Sequence, residues 1–182
     1  MKRVRKSLTT TAALRVVVSF AGLAFCGCAV VSAPHGIPNF SQVVAGVWRG
    51  GQPTVEGWEH LKSLGVKRIV KLNTEHEASD EWATTNGIEV IYLPITLLQQ
   101  TVGKPGSNGL MMAVSALGRE GTFVHCQHGQ DRVGLVIGAY RVKVGHWTKI
   151  AAYREMEANG FHPLLRGLYW SWQEDVVEVS TF

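Results

Sequence analysis

Along residues 43–182, short continuous apolar runs alternate with segments whose apolar residues recur every three or four positions. The first pattern predicts strands and the second predicts helices. Short apolar runs bounded by turn residues predict strands at residues 43–48, 66–72, 89–93 and 122–125. Apolar side chains at three- or four-residue spacing predict helices at residues 54–64, 77–85, 110–117, 133–144, 147–159 and 165–179. Strands that alternate with helices predict an α/β fold, a single domain with a central, mostly parallel sheet flanked by helices.

The longest stretch without either period covers residues 96–108, which hold three of the glycines and prolines that interrupt regular structure. We expect an irregular loop there. Long loops in compact domains often carry function.

The composition agrees with one globular domain, since 46% of the 182 residues are hydrophobic and 18% are charged. The formal net charge of +4 is concentrated at the beginning of the chain. Five of the 18 basic residues precede residue 29, where there is no acid, so 13 basic side chains face 14 acidic ones in the remainder. That remainder has no electrostatic footprint for nucleic acid, and we expect no nucleic-acid partner.

The first 28 residues have the pattern of a bacterial-type export signal, with a basic start followed by the uncharged residues 16–33. Gly27-Cys28 resembles a lipoprotein processing site, in which Cys28 is lipidated and becomes the first residue. The division expected is therefore an export signal at 1–28, a linker at 29–42 and a catalytic domain at 43–182. An uncleaved anchor of 18 apolar residues and ordinary cleavage near Ala29 or Ala33 are the alternatives. All three export the domain, and we expect a membrane-anchored lipoprotein that faces the periplasm.

The candidate chemistry lies between the last predicted strand and the helix at 133–144, where a cysteine and an arginine are separated by five residues. Cys126 begins this loop and Arg132 ends it. Backbone N–H groups of a tight loop can converge on a phosphate, the helix N-terminus adds partial positive charge, and a guanidinium can hold two oxygens in a fork. The same field favours thiolate over thiol, which makes Cys126 a candidate nucleophile.

These residues resemble the cysteine-dependent phosphatases of the protein tyrosine phosphatase superfamily, and most closely its small atypical dual-specificity group, including bacterial exported members. The signature His-Cys-x-x-Gly-x-x-Arg is matched at His125, Cys126, Gly129 and Arg132, and the resemblance covers roughly residues 40–180. It implies a phosphate-monoester hydrolase in which Cys126 forms a phosphocysteine, Arg132 binds the phosphoryl oxygens and His125 supports the loop. The phosphate-binding residues it implies are Gln127, His128, Gly129, Gln130, Asp131 and Arg132.

Two positions depart from the family pattern. Val133 stands where the family has a hydroxyl residue that assists hydrolysis of the phosphocysteine. The usual aspartate acid is also missing, since residues 90–119 contain neither Asp nor Glu. Asp131 is the candidate acid, because myotubularin-like phosphatases place Asp directly before this arginine. The alternatives are a carboxylate that only pairs with a neighbouring cation at this position, or an acid supplied by Glu75, Glu77 or Asp80.

Other interpretations of this segment remain open. A phosphate-binding module with little turnover would also explain Val133, although binding alone does not need a reactive thiol. An inositol-phosphate or phosphoinositide phosphatase is a second alternative. Arg49 and Gln52 are candidates for the pocket wall and Lys104 for a second phosphate. We expect no metal and no cofactor, and a phosphorylated protein or small phosphorylated molecule as substrate, with a membrane contact through the N-terminal lipid or signal anchor.

Overall fold

The computed structural model describes residues 33–177, so the expected export signal and Cys28 lie outside the described residues. The described chain forms five strands, β1 Ser41–Val44, β2 Val47–Gly50, β3 Arg68–Lys71, β4 Glu89–Tyr92 and β5 Thr122–His125. Its α-helices are α1 Val55–Ser63, α2 Glu81–Thr85, α3 Leu97–Thr101, α4 Ser107–Ala116, α5 Asp131–Lys143, α6 Lys149–Ala158 and α7 Arg166–Asp175. The predicted α/β class is confirmed.

The strands form one sheet in the order β1-β2-β5-β3-β4, with β5 at its centre. All neighbours are parallel except β1 and β2, which are antiparallel. In the register, His125 at the end of β5 lies between Gly50 of β2 and Lys71 of β3. The carboxyl ends of four parallel strands therefore meet at one edge, where open α/β sheets bind their ligands.

Helices cover both faces of this sheet. One face packs against α4, α5, α6 and α7 in a core that contains Val124, Val136 and Trp172. The other face packs against α1 and α2 around Trp58 and Phe123. Because β5 is covered on both faces, all four of its residues are buried, including the polar Thr122 and His125.

Several predicted elements have other bounds in the structure, among them the following three. Residues 43–48 do not form one strand, because the chain turns at Gly46, whose φ of +71° suits a tight turn, and so makes the β1–β2 hairpin. Residues 96–108 are not irregular throughout, since Thr96 and Gln99 form a reciprocal capping box that starts α3. The helix predicted from Glu77 begins only at Glu81.

That last difference has a local cause. The carboxylate of Glu77 accepts hydrogen bonds from the backbone N–H of Thr74, at 2.8 Å, and from its hydroxyl, at 3.1 Å. This side chain therefore closes a turn where the sequence pattern predicts a helix.

Among residues 33–177 no helix is both long and apolar enough to cross a bilayer.

Candidate active site

The loop between β5 and α5 lies at the carboxyl edge of the sheet, and we call its residues 126–132 the phosphate loop. Its sharp reversal occurs at Gly129, where φ is +74°. A Cβ at this position would lie only 2.4 Å from the carbonyl carbon of Gly50. Gly129 is therefore required both by the backbone conformation and by the close approach of β2.

The structure brings Cys126 and Arg132 together in this loop. Both are buried, with 2% and 5% of their surface exposed. The pKa of Arg132 is raised above its ordinary value: burial lowers it, but the hydrogen bond to Glu77 and the electrostatic interactions with Cys126 and Glu77 outweigh burial. A thiol and a guanidinium are thus combined at the start of one helix.

Glu77 holds the guanidinium of Arg132 in a two-pronged ion pair. Nη2 donates to Oε1 at 2.6 Å and Nη1 donates to Oε2 at 2.8 Å. Burial alone would raise the pKa of Glu77, but the hydrogen bonds from Arg132 and Thr74 and the charge of Arg132 lower it to about 2. At neutral pH this carboxylate is ionised and carries no proton to donate, which argues against Glu77 as the general acid.

Asp80 holds the imidazole of His125. The His125 Nε2 to Asp80 Oδ2 distance is 2.8 Å, and both side chains are buried. Burial raises the pKa of Asp80, but the hydrogen bond and charge of His125, together with Gln52 and Lys71, lower it below its usual range. Removing one partner of a buried ion pair typically costs about 3–5 kcal/mol. The alternative acid Asp80 is therefore ionised and serves as the partner of His125.

The buried Lys71 fixes the segment that carries these acids. Its ammonium group lies 2.9 Å from Glu75 Oε1 and 3.8 Å from Asp80 Oδ1, and it donates to the carbonyl oxygen of Ala78 at 2.8 Å. All three alternative acids of the sequence analysis are thus engaged with cations.

Asp131, the candidate acid, is held by the loop between α6 and α7. Its Oδ1 accepts a hydrogen bond from the backbone N–H of His162 at 2.7 Å and lies 3.0 Å from the His162 Nδ1. The carboxylate is therefore already paired on one side. Its role as proton donor stays a prediction, which a leaving-group experiment can test.

The remaining side chains of the phosphate loop point in different directions. His128 is exposed and Gln127 is partly exposed. The amide of Gln130 packs against Gly160, where an added Cβ would lie 2.6 Å from Nε2. These positions contribute backbone N–H groups to the loop, and Gln127, His128 and Gln130 include no lysine or arginine.

The three residues suggested for the pocket wall or a second phosphate have other contacts. Arg49 is buried behind the phosphate loop, where its Nη2 donates to the carbonyl oxygen of Gly129 at 2.8 Å. The Gln52 amide bridges Asp80 and Asn73. Lys104 lies 2.7 Å from Glu174 and 3.1 Å from Asp175. In this structure Lys104 is paired with acids of α7.

The sequence does not predict the contact between Asn39 and the phosphate loop, because Asn39 lies in the expected linker. Asn39 donates from Nδ2 to the carbonyl oxygen of His128 at 2.8 Å. Its neighbour Ile37 is fully buried in the core. The sequence pattern does not connect a residue of this segment to a loop 89 positions later. The αL conformation of Asn39, with φ of +49°, is also visible only in the structure.

Within residues 33–177, no group of three or more His, Cys, Asp or Glu side chains is placed to hold a metal ion.

Comparison with protein families gives a match to the tyrosine phosphatase family over residues 36–159. Among curated proteins, the dual specificity protein phosphatase TpbA of Pseudomonas aeruginosa is 28% identical over 124 residues, which cover 68% of this chain and 55% of TpbA. The inositol diphosphatase DSP3 of Arabidopsis thaliana is 26% identical over 149 residues, which cover 79% of this chain and 70% of the relative. The chain therefore matches about half the length of TpbA.

Solved structures share the fold. The crystal structure of Pseudomonas aeruginosa TpbA has a TM-score of 0.62 at 22% identity and covers 74% of this chain and 83% of its own. The catalytic core of the inositol pyrophosphate phosphatase Siw14 from S. cerevisiae has a TM-score of 0.59 at 23% identity, with coverages of 72% and 83%. The agreement extends over most of the described residues.

Proposed function

Since the chain belongs to the tyrosine phosphatase family, we propose that it hydrolyses phosphate monoesters of the tyrosine or dual-specificity protein phosphatase class through a phosphocysteine. The observation that carries this proposal is the placement of Cys126 and Arg132 in one buried loop at the start of α5. A binding module would need the arginine and the loop amides, but not a buried thiol in the same loop.

The chemistry proceeds in two displacements. The Cys126 thiolate attacks phosphorus, the bond between phosphorus and the substrate oxygen breaks, and that oxygen takes up a proton as it leaves. Water then attacks the phosphocysteine, the sulfur–phosphorus bond breaks, and the thiolate is restored with release of inorganic phosphate. Arg132 and the loop amides bind the equatorial oxygens on which charge spreads during both steps. Val133 carries no hydroxyl to assist the second step, so we expect it to be slow.

The substrate we favour is a phosphotyrosine-type monoester. None of the side chains at 127–131 is a lysine or arginine, and Lys71 and Lys104 are already engaged with carboxylates. A highly phosphorylated inositol carries many negative charges and needs several cations at its binding site. The phosphate loop and its surroundings offer few. The similarity to proteins named inositol diphosphatases favours the second candidate, hydrolysis of an inositol pyrophosphate.

A substrate panel tests the proposal. The protein is assayed with a phosphotyrosine peptide, a phosphoserine peptide and an inositol pyrophosphate, and Cys126→Ser serves as the control. We expect phosphotyrosine hydrolysis that is abolished in Cys126→Ser, since a serine hydroxyl does not ionise in this pH range. Preference for the inositol pyrophosphate would select the second candidate, and turnover that survives in Cys126→Ser would overturn the covalent mechanism.

The location of the protein is a separate part of the proposal. The basic start, the uncharged segment 16–33 and Gly27-Cys28 support export and lipidation at Cys28. Under this proposal the domain is a membrane-anchored lipoprotein facing the periplasm, and its substrate is a phosphorylated protein or small phosphorylated molecule of that compartment.

A further inference from the structure

Three successive carbonyl groups of the phosphate loop are turned away from its centre, and each accepts a hydrogen bond from a residue outside the loop. The carbonyl oxygen of Gln127 accepts from the backbone N–H of Gln52 at 3.1 Å. That of His128 accepts from Asn39 Nδ2 at 2.8 Å, and that of Gly129 accepts from Arg49 Nη2 at 2.8 Å. Asn39 lies before β1, Arg49 lies in β2, and Gln52 follows β2 by two residues.

The direction of these carbonyls fixes the direction of the neighbouring N–H groups. The peptide unit is planar and trans, so the N–H of the following residue points opposite to the carbonyl oxygen. When the carbonyls of residues 127, 128 and 129 point outward, the N–H groups of residues 128, 129 and 130 point to the inner side of the loop. Aligned N–H groups of this kind form an anion-binding concavity.

Arg49 has unusual surroundings for a residue with a purely structural role. It is 2% exposed, and within residues 33–177 its Nε and Nη1 have no hydrogen-bond partner. Burial lowers the pKa of Arg49, an effect that the charges of Glu155 and Cys126 oppose. An arginine keeps its charge in proteins, so a cation stands behind the loop and contacts it at Gly129.

We propose that the side chains of Asn39 and Arg49 and the backbone amide of Gln52, together the carbonyl clamp, hold the phosphate loop with its N–H groups directed at the bound phosphoryl group. Asn39 and Arg49 are then positioning residues: they touch the loop and not the substrate. This inference rests on the proposed function for its relevance to turnover, but loop geometry can be tested by anion binding without turnover.

The sharpest variant is Asn39→Asp. Aspartate has the same size and tolerates the αL conformation that Asn39 adopts, but its carboxylate cannot donate to a carbonyl and would repel it. The matched control is Asn86→Asp. Asn86 also donates from Nδ2 to a backbone carbonyl, that of Trp82 at 2.9 Å, but it precedes β4 and so lies at the opposite edge of the sheet.

The probe is orthovanadate, a phosphate analogue whose inhibition constant and direct binding are both measurable. We expect Asn39→Asp to weaken vanadate binding about tenfold and to raise KM more than it lowers kcat, while Asn86→Asp leaves vanadate binding as in wild type. Arg49→Lys retains a donor and Arg49→Met does not, so Lys should keep more vanadate affinity than Met.

The outcomes separate the two proposals. Vanadate binding by Asn39→Asp equal to that of wild type would overturn the carbonyl clamp, as would equal losses in Asn39→Asp and Asn86→Asp. A wild-type protein that neither binds vanadate nor hydrolyses any substrate of the panel would instead refute the proposed function. Should Arg49→Met fail to fold, the Asn39→Asp and Asn86→Asp pair still decides the result.

Discussion

The carboxylate of Glu77 and the guanidinium of Arg132 are joined by two hydrogen bonds of 2.6 and 2.8 Å. Arg132 ends the phosphate loop, whereas Glu77 belongs to the turn between β3 and α2. The fork geometry uses one edge of the guanidinium and so fixes the orientation of the whole planar group. An arginine held this way is preorganised for a phosphoryl group.

Replacement of Glu77 by glutamine is expected to weaken phosphate binding. The amide keeps one acceptor but loses the charge and one prong, so Arg132 becomes free to adopt other orientations. We expect kcat/KM to fall about tenfold, which corresponds to roughly 1.4 kcal/mol. Glu89→Gln is the control, because Glu89 pairs with Arg68 at 2.8 Å at the other end of the sheet. Equal activity of Glu77→Gln and Glu89→Gln would contradict the positioning role.

The same ion pair should make stability depend on acid pH. The pKa of Glu77 is lowered from 4.5 to about 2 in the folded protein. A carboxyl group with a depressed pKa contributes its stabilisation above the unfolded value and loses it as the pH falls toward the folded value. Urea unfolding of wild type and Glu77→Gln should therefore differ most above pH 4.5 and converge toward pH 2. A difference that is constant with pH would exclude this linkage.

Arg132→Lys tests whether the guanidinium acts in the transition state. An ammonium group cannot form the planar fork with two oxygens, nor the two-pronged pair with Glu77. We expect kcat to fall by more than about tenfold even at saturating substrate. A smaller loss, confined to KM, would show that Arg132 contributes only to ground-state binding.

Asp131→Asn tests the source of the proton for the leaving group. If Asp131 is the acid, the variant should lose most activity on an alkyl phosphate, whose leaving oxygen needs a proton, and much less on an activated aryl phosphate. The basic limb of the pH profile should weaken in parallel. Equal losses on both substrates would assign Asp131 to the contact with His162 that the structure shows, and no loss on either would make water the proton source.

The membrane anchor is tested by expressing the protein in bacterial cells that export and process lipoproteins. If Cys28 is lipidated, the wild-type protein should partition with membranes, and Cys28→Ser should accumulate as an unprocessed precursor. Immunoblots of membrane and soluble fractions measure both. Normal processing of Cys28→Ser would remove the lipoprotein assignment and leave the phosphatase assignment unaffected.

The sequence predicts best what depends on local patterns. β5 begins and ends at the predicted residues, since a buried strand followed by a signature loop has little ambiguity. The helix after Thr54 is confirmed, including its cap, because the Thr54 side chain accepts from the N–H of Gly57. The β1–β2 hairpin was missed, because residues 43–48 are apolar enough to read as one run.

Local sequence patterns do not predict contacts between segments that are distant in the chain. The sequence shows Glu75, Glu77 and Asp80 as acids near the site. Their partners come from β3, β5 and α5, and only tertiary packing pairs them with these acids. Asn39 was assigned to a linker, since a short segment with two prolines and a glycine reads as unstructured connection. Its contact with His128 requires the fold to place both segments at one edge of the sheet.

The attachment of residues 97–106 has a consequence for the timing of catalysis. α3 packs against α7, and the ammonium of Lys104 lies 2.7 Å from Glu174 and 3.1 Å from Asp175. In many enzymes a segment near the site closes over the substrate, and its reopening limits turnover. Here the segment is fastened to a helix at both of its ends. We therefore expect residues 97–106 to stay against α7 while substrate enters and product leaves, without a large closing movement.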